Sequence, residues 1–124
     1  MADKASEEQG VREAIAHYVD GMRTGNVETL KQGFHEQAIL SGYLGDDLIT
    51  APIAGLYEWV NENPAPAATG EPFGCDILRI DLTGRVAAAA VRETGHEGAV
   101  IDHFHLLKVG DRWWIVSKLW DAEP

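Results

Sequence analysis

Hydrophobic positions near the start of the chain recur every three or four residues, which is the spacing of one face of an α-helix. The main apolar positions of this stripe are Val11, Ile15, Tyr18 and Met22. Ser6 and Gln9 have the spacing of a capping box, and Gly25 is a typical residue to follow a helix end. The pattern therefore predicts an amphipathic helix that begins at Ser6 and stops at Gly25.

The next part of the chain predicts two more helices with short strands between them. Asn26 can cap a short helix that ends near Gly33, after which Phe34 turns back toward the core. Residues 38–50 are β-prone and broken by glycines, which indicates one or two short strands around a turn at residues 45–47. A third helix begins near Pro52 and stops before Pro64.

The second half of the chain changes to the patterns of β-strands. A loop rich in proline, glycine and alanine covers residues 64–72. Four strand-like segments follow, separated by turn residues at Thr83–Gly84, around Gly95–Gly98 and at Gly110–Asp111. The hairpin context favours a strand for the alanine run at 87–90. Helices followed by an antiparallel meander predict the α+β class.

Length and composition indicate one globular domain over residues 1–124. The 124 residues are 45% hydrophobic and 24% charged, close to ordinary globular averages. No apolar run is long enough to span a membrane, and the polar N-terminus lacks a secretory signal pattern. The single cysteine, Cys75, favours a reducing compartment and predicts a cytoplasmic protein. We interpret Cys75 as a small buried side chain rather than a nucleophile.

Charge and motifs narrow the class of partner. The net charge is −10, and no basic cluster offers the cationic face that nucleic acids or anionic membranes require. Phosphate-binding loops, dinucleotide fingerprints and serine hydrolase motifs are absent from the sequence. We therefore expect a small-molecule ligand, with neither nucleic acid nor a membrane as partner.

Three stretches in order resemble one known superfamily. They are "YVDGMRTGNVETL" at residues 18–30, "FHEQA" at 34–38 and "DHFHLLKVGDRWWIVSKLW" at 102–120. Over roughly residues 8–121 the chain resembles the nuclear transport factor 2-like superfamily, which includes SnoaL-like cyclases and ketosteroid isomerases, and it is most similar to the "putative lumazine-binding" branch. The resemblance implies a cone-shaped, curved antiparallel sheet wrapped around three N-terminal helices. It also implies a pocket at the open end and a homodimer formed through the outer face of the sheet.

The strand at residues 99–109 carries Asp102, His103 and His105 among apolar residues. Alternation places Asp102 and Phe104 on one face and the two histidines on the other, and both faces contain apolar residues. The resemblance to ketosteroid isomerases implies that Asp102 points into the cone, as their oxyanion-hole aspartate does. It likewise implies an inward Tyr18, and it leaves the histidines outside.

The same resemblance shows one departure. Ketosteroid isomerases carry their general base in the strand after the second helix, and counting along "FHEQAILSG" places Gly42 at that position. Isomerisation of a steroid by that base is therefore not expected, although another acid–base reaction remains compatible with the sequence.

Three residues are candidates for catalysis. A buried Asp102 would have a raised pKa suited to a general acid or oxyanion donor, or it would be a structural aspartate satisfied by Arg92 or Tyr18. Tyr18 would support Asp102, or it would be a core tyrosine with a hydrogen-bonded hydroxyl. His35 would carry a proton, or it would fix the turn after the second helix.

Other residues are candidates for binding. For the substrate they are Trp59 at the rim of the pocket together with Phe34, Tyr43, Phe104 and Arg92. His103 and His105 have the spacing of two metal ligands, and His96 and Asp76 are conceivable additions. Catalytic zinc needs three converging ligands, so we interpret these histidines as surface or interface residues and predict no metal.

The sequence therefore predicts a small-molecule-binding protein with two possible functions. One is an acid–base isomerase, dehydratase or cyclase acting on a small apolar or aromatic substrate without a cofactor. The alternative is a non-catalytic module for ligand binding or dimerisation. The residues alone do not decide whether the protein is an enzyme.

Overall fold

The computed structural model describes residues 3–95 and 98–124, which fold into four helices and six strands. The helices are α1 Lys4–Thr24, α2 Val27–Gly33, α3 Ala54–Glu62 and the short α4 Pro66–Thr69. The strands are β1 Phe34–Leu44, β2 Asp47–Pro52, β3 Gly74–Thr83, β4 Val86–Gly95, β5 Gly98–Val109 and β6 Arg112–Ala122. The predicted α+β class and the four strands of the second half are confirmed.

Helix ends follow their capping residues, with one difference from the prediction. Asp3, not Ser6, is the N-cap of α1, and its carboxylate accepts from the backbone N–H of Ser6 at 2.8 Å. Gly25 ends α1 in the left-handed region at φ 72°, where a residue without Cβ is favoured. Asn26 caps α2 through the Thr29 N–H, as predicted.

Two further boundaries differ from the prediction. β1 begins at Phe34, directly after α2, and thus starts four residues before the β-prone segment that was predicted from residue 38. The predicted loop at residues 64–72 contains α4, which starts with Pro66 at a position where a missing N–H costs nothing. The predicted turn around Gly95–Gly98 includes residues 96 and 97, which lie outside the described residues, and Gly95 pairs with Gly98.

The strands form one sheet in the order β2-β1-β6-β5-β4-β3. Every neighbouring pair is antiparallel except β1 and β6, which run parallel. The predicted curved antiparallel sheet is confirmed, and this one parallel junction makes it a mixed sheet. There the last strand of the meander returns beside the strand that follows the first two helices.

The helices pack on the inner face of the sheet. The predicted stripe of α1 is buried at Val11, Ala14, Ile15 and Tyr18. The inner face of β4 is made of small residues, because Ala87 and Ala89 precede Val91 on that side and all three are buried. The alanine run is thus a strand, as predicted. Trp113 is buried inside, whereas the adjacent Trp114 lies on the opposite side of β6.

The two faces of β5 divide as the resemblance implied. Asp102 and Phe104 are fully buried on the inner face, and His103 and His105 are exposed on the outer face. Exposed apolar side chains accompany the histidines on the outer surface, among them Ile39, Leu48, Leu107 and Leu119. Among the residues described, none of the helices is long and apolar enough to cross a membrane.

Candidate functional site

A β-bulge in β6 decides which side chains enter the cone. Leu106 pairs with Ile115 and His105 pairs with Ser117, so Val116 is an extra residue in β6. Before the bulge, Trp113 and Ile115 are buried, and after it Lys118 is buried. The extra residue shifts the alternation by one, and this turns Lys118 and Trp120 inward instead of Leu119.

Tyr18 and Glu93 form the first polar contact of the site. The Tyr18 hydroxyl donates to the Glu93 carboxylate, at 2.9 Å from Oε2 and 3.1 Å from Oε1. The Tyr18 ring is held edge-on by Phe34 and Phe104, at centroid distances of 5.8 and 5.2 Å. These two phenylalanines fix the phenol, so the direction of its hydroxyl is set by packing as well as by the hydrogen bond.

Asp102 and Lys118 form the second contact. Lys118 Nζ lies 3.2 Å from Asp102 Oδ1, and the side chains are 10% and 0% exposed. Neither Asp102 oxygen accepts an aligned hydrogen bond from any residue described, so charge rather than geometry holds this pair. The Lys118 ammonium also lies over the Trp120 ring at 4.2 Å from its centroid, in a cation–π contact.

The two contacts form one electrostatic unit. Val91 pairs with Asp102, so Glu93 is the diagonal neighbour of Asp102 on the inner face of the sheet. Burial raises the pKa of Glu93 most, and a hydrogen bond donated to Asp102 together with the negative charge of Asp102 raises it further, to about 8. A protonated Glu93 can donate to Asp102, whose oxygens accept no hydrogen bond from the residues described. We call Tyr18, Glu93, Asp102 and Lys118 the polar cluster.

Two neighbouring groups stay protonated beside these carboxyls. Burial, with added repulsion from Asp102 and Glu93, raises the pKa of Tyr18 well above its ordinary value. Tyr18 is therefore a hydrogen-bond donor at neutral pH. Burial and the charge of Glu93 raise the pKa of Cys75 to about 12, so the half-buried thiol is not ionised. This agrees with the interpretation of Cys75 as a non-nucleophilic side chain.

The polar cluster borders a cavity of about 440 Å³, within the usual range of small-molecule sites. Three of its four members, Tyr18, Glu93 and Lys118, line the cavity. The remaining wall is apolar or small and consists of Met22, Leu40, Leu44, Ile49, Ala51, Gly55, Leu56, Trp59, Val100 and Trp120. The arrangement brings a hydrogen-bond donor, a carboxyl with a raised pKa and a cation to the wall of a largely apolar cavity.

The structure brings some predicted site residues to this cavity. Tyr18 lines it, and so does Trp59, whose side chain on α3 is half exposed. Asp102 belongs to the polar cluster but has no exposed surface, so it lies behind the wall rather than in it. Phe34 and Phe104 are buried against the Tyr18 ring and are not lining residues, which corrects their expected place at the substrate.

Three other predicted residues, His35, Tyr43 and Arg92, do not line the cavity. His35 packs edge-on against Trp114, with 6.4 Å between ring centroids, in a surface groove away from the cavity. Its Nδ1 accepts from the Gln37 N–H at 3.1 Å, a local bond within β1 rather than in a turn after α2. Tyr43 is exposed and borders grooves outside the cavity lining, because β1 directs Leu40 and Gly42 inward instead.

Arg92 is not the partner of Asp102. It pairs with Ile101 across the strands and therefore lies on the outer face. There its guanidinium donates to the Glu123 carboxylate, with Nη2 at 3.0 Å from Oε1. Its expected roles with Asp102 and with the substrate are corrected by this strand register.

Sequence reasoning missed Glu93 and Lys118. A signal for Glu93 was present: once Asp102 is placed inside, its cross-strand partner Val91 and then Glu93 share the inner face. No comparable signal marked Lys118, since plain alternation from Trp113 and Ile115 predicts that it faces outward. The bulge that reverses this is not visible in the pattern of residues.

The histidines do not assemble a metal site in the described part of the chain. No group of three or more histidine, cysteine, aspartate or glutamate side chains there is arranged to hold an ion. His103 and His105 are exposed on the outer face. His96, considered above as an additional ligand, lies outside the described residues.

The chain is similar to known proteins over most of its length. A family described as "Putative lumazine-binding" matches residues 6–121. An NTF2-like protein from Methylobacillus flagellatus KT is 30% identical, with a TM-score of 0.87 over 98% of this chain and 96% of that one. An NTF2-like protein from Shewanella baltica OS155 is 27% identical, with a TM-score of 0.86 over 100% and 99%. "Aldolase FrzH" from Cladobotryum sp. is 23% identical over 107 residues, 86% of this chain and 84% of that protein.

Proposed function

This chain belongs to the "Putative lumazine-binding" family of NTF2-like proteins, and on that basis we propose that it is an enzyme of acid–base chemistry acting on a small carbonyl compound in its cone. The reaction class is removal and return of a proton on the carbon next to the carbonyl, which is the first step of aldol, isomerisation and cyclisation reactions. The substrate class is a small apolar or aromatic aldehyde or ketone.

One observation carries the proposal: Glu93 lies at the wall of an apolar cavity with the Tyr18 hydroxyl 2.9 Å from its carboxylate. A carboxyl whose pKa is raised to about 8 by burial and by Asp102 exchanges protons near neutral pH. This is the property that a general acid–base group needs. Glu93 therefore takes the role of the general base, for which Gly42 has no side chain.

The other members of the polar cluster have supporting roles. Tyr18 stays neutral and donates, so it can share its hydrogen bond with a substrate oxygen that becomes negatively charged. Lys118 brings a positive charge to the same wall. Asp102 lies behind both and acts as a positioning residue, since it holds Lys118 at 3.2 Å and raises the pKa of Glu93.

The cavity and one relative support the choice of substrate. Most lining residues are apolar, and the half-exposed Trp59 provides an aromatic surface, which favours a ligand with a flat or aliphatic body. The Cladobotryum relative is named an aldolase, and aldol chemistry requires a proton to be removed next to a carbonyl. The family description, which names a ring-shaped ligand, also supports a small molecule in the cone.

The test is proton exchange at the carbon next to a carbonyl. Acetophenone and cyclohexanone are incubated with the protein in D₂O, and loss of the α-proton signals is followed by NMR. We expect catalysed exchange that falls roughly a hundred-fold or more in Glu93→Gln and less in Tyr18→Phe. Arg92→Gln is the matched control, because Arg92 lies on the adjacent position but on the outer face.

Two results would contradict the acid–base proposal. If Glu93→Gln exchanges these protons as fast as the unmodified protein, the acid–base assignment is wrong. If many unrelated apolar compounds raise the melting temperature and none undergoes exchange, the cone is a binding module, which its largely apolar lining would also suit.

We also propose that a second copy of the chain covers the outer face of the sheet. Support comes from the apolar side chains exposed there, including Leu48, Leu107 and Leu119 at 64%, 39% and 41% exposure. Sedimentation equilibrium is expected to give a dimer that Leu119→Glu dissociates. Ala16→Glu on the exposed side of α1 is the control. A monomer at all concentrations would contradict the proposal.

A further inference from the structure

Lys118 is the only lysine or arginine that lines the cavity among the described residues. The residue is 8% exposed, and its ammonium lies between Asp102 and the rings of Trp120 and Tyr18, at 4.2 and 5.7 Å from the two centroids. Burying an ammonium costs several kcal/mol unless it is well paired. A lysine placed there by a β-bulge therefore calls for an explanation beyond packing.

The pairing of Lys118 is electrostatic and incomplete. Its Nζ is 3.2 Å from Asp102 Oδ1, yet the contact does not have hydrogen-bond geometry. A structural ion pair would gain most from aligned, charge-assisted hydrogen bonds. By contrast, Lys108 Nζ donates to Glu7 Oε1 at 2.7 Å in a part-buried pair. Lys118 thus has a carboxylate close enough to take its proton and an open cavity in front of it.

We propose that Lys118 is a covalent catalytic residue that forms an iminium with the carbonyl substrate. The inference rests on the proposed function, because it takes the cone as the active site and a carbonyl compound as its substrate. An amine held in an apolar pocket beside a proton acceptor is the arrangement used by lysines that form Schiff bases.

The polar cluster can balance every proton of this step. Asp102 takes one proton from the ammonium, and the freed amine adds to the carbonyl carbon to form a C–N bond. The oxygen receives the second amine proton and then the proton of Glu93, and it leaves as water while a C=N bond forms. The product is a positively charged iminium beside protonated Asp102 and ionised Glu93, and no oxidation or reduction occurs.

The state of Glu93 after this step links it to the proposed reaction. Glu93 has become a carboxylate at the cavity wall, next to a carbon whose α-protons the iminium has acidified. It can therefore act as the base that the exchange reaction requires, and Tyr18 continues to orient it through the 2.9 Å hydrogen bond. One carboxyl serves first as acid and then as base.

Reductive trapping tests the inference directly. The full chain is incubated with acetophenone or benzaldehyde and sodium cyanoborohydride, and the adduct is located by intact mass and peptide mapping. We expect one reduced adduct per chain, at Lys118. Lys118→Arg retains a cation for Asp102 but is expected to lose the adduct, and Lys108→Arg is expected to keep it.

The outcomes separate this inference from the proposed function. Adducts spread evenly over surface lysines, with Glu93-dependent exchange unchanged in Lys118→Arg, would overturn the covalent role and leave the acid–base function standing. An adduct at Lys118 without any Glu93-dependent exchange would support the covalent site and overturn the acid–base function. Absence of both adduct and exchange would overturn both. Circular dichroism of each variant establishes that it is folded.

Discussion

The indole of Trp120 occupies the space into which a side chain at Gly42 would project. The two residues pair across the parallel junction of β1 and β6. A Cβ on Gly42 would overlap Cδ2 of Trp120 and would lie 2.5 Å from Cε2 and 2.6 Å from Cε3. An aromatic ring lying over a strand glycine covers its backbone. The space beside Gly42 is thus filled by a tryptophan from the neighbouring strand.

Replacing Gly42 by alanine is therefore expected to destabilise the protein. The added methyl group meets a ring rather than the end of a flexible chain, so the indole must move and lose its contact with Lys118. Overpacking of this kind lowers the free energy of unfolding by about 1–3 kcal/mol. Urea denaturation followed by tryptophan fluorescence measures it. In a Trp120→Ala background the same substitution should cost much less, and an equal cost in both backgrounds would contradict the explanation.

Glu93 is expected to make stability depend on pH. Its pKa is raised from 4.5 to about 8 in the folded protein, so between these values the folded state binds more protons than the unfolded state. The free energy of unfolding therefore falls as pH rises through this window, by at most about 1.4 kcal/mol per pH unit for one group. The contribution is fully present below the unfolded pKa and is lost above the folded one.

The comparison with Glu93→Gln isolates that contribution. We expect the free energy of unfolding of the variant, minus that of the unmodified protein, to increase from about pH 4 to about pH 9. Urea denaturation at several pH values measures this difference, in which the titration of other groups largely cancels. A difference that is constant with pH would show that Glu93 has an ordinary pKa in the folded protein, and one that decreases would show a lowered pKa; either result contradicts the prediction.

Most of the fold was predictable from the sequence because its signals are local. Helical spacing in α1, capping by Asn26 and the turns between the last four strands each depend on neighbouring residues. The inward direction of Asp102 followed from a resemblance rather than from alternation, since both faces of β5 carry apolar residues. The parallel pairing of β1 with β6 joins distant segments, and local patterns carry little information about it.

The candidate site was only partly predictable for the same reason. Tyr18 and Trp59 were placed from helical phase, and both line the cavity. Arg92 was assigned to the wrong face because the register of β4 against β5 was unknown, and one residue of register exchanges Arg92 with Glu93. Lys118 was missed because a single extra residue in β6 reverses the alternation after Ile115.

Asp102 and Lys118 are expected to depend on each other for stability. Removing one member of a buried ion pair leaves the other charge uncompensated, which costs about 3–5 kcal/mol. Both Asp102→Asn and Lys118→Met should therefore be strongly destabilising, and the double variant should be less destabilised than the sum of the two. Urea denaturation of all four proteins gives the coupling. The pair Glu7 and Lys108, which is more exposed, should show a smaller coupling free energy. Equal coupling free energies for the two pairs would contradict the claim that burial of Asp102 strengthens its dependence on Lys118.

Filling the cavity is expected to abolish ligand binding without unfolding the protein. Ala51 lines the cavity beside Gly55, and a Cβ built on Gly55 would lie 3.2 Å from the Ala51 Cβ, so small residues keep this wall open. Ala51→Phe places a ring in the chamber, whereas Ala54→Phe adds the same ring at an exposed position outside the lining. We expect acetophenone to raise the melting temperature of the unmodified protein and of Ala54→Phe, but not that of Ala51→Phe. Equal stabilisation of all three proteins would place the ligand outside the cone.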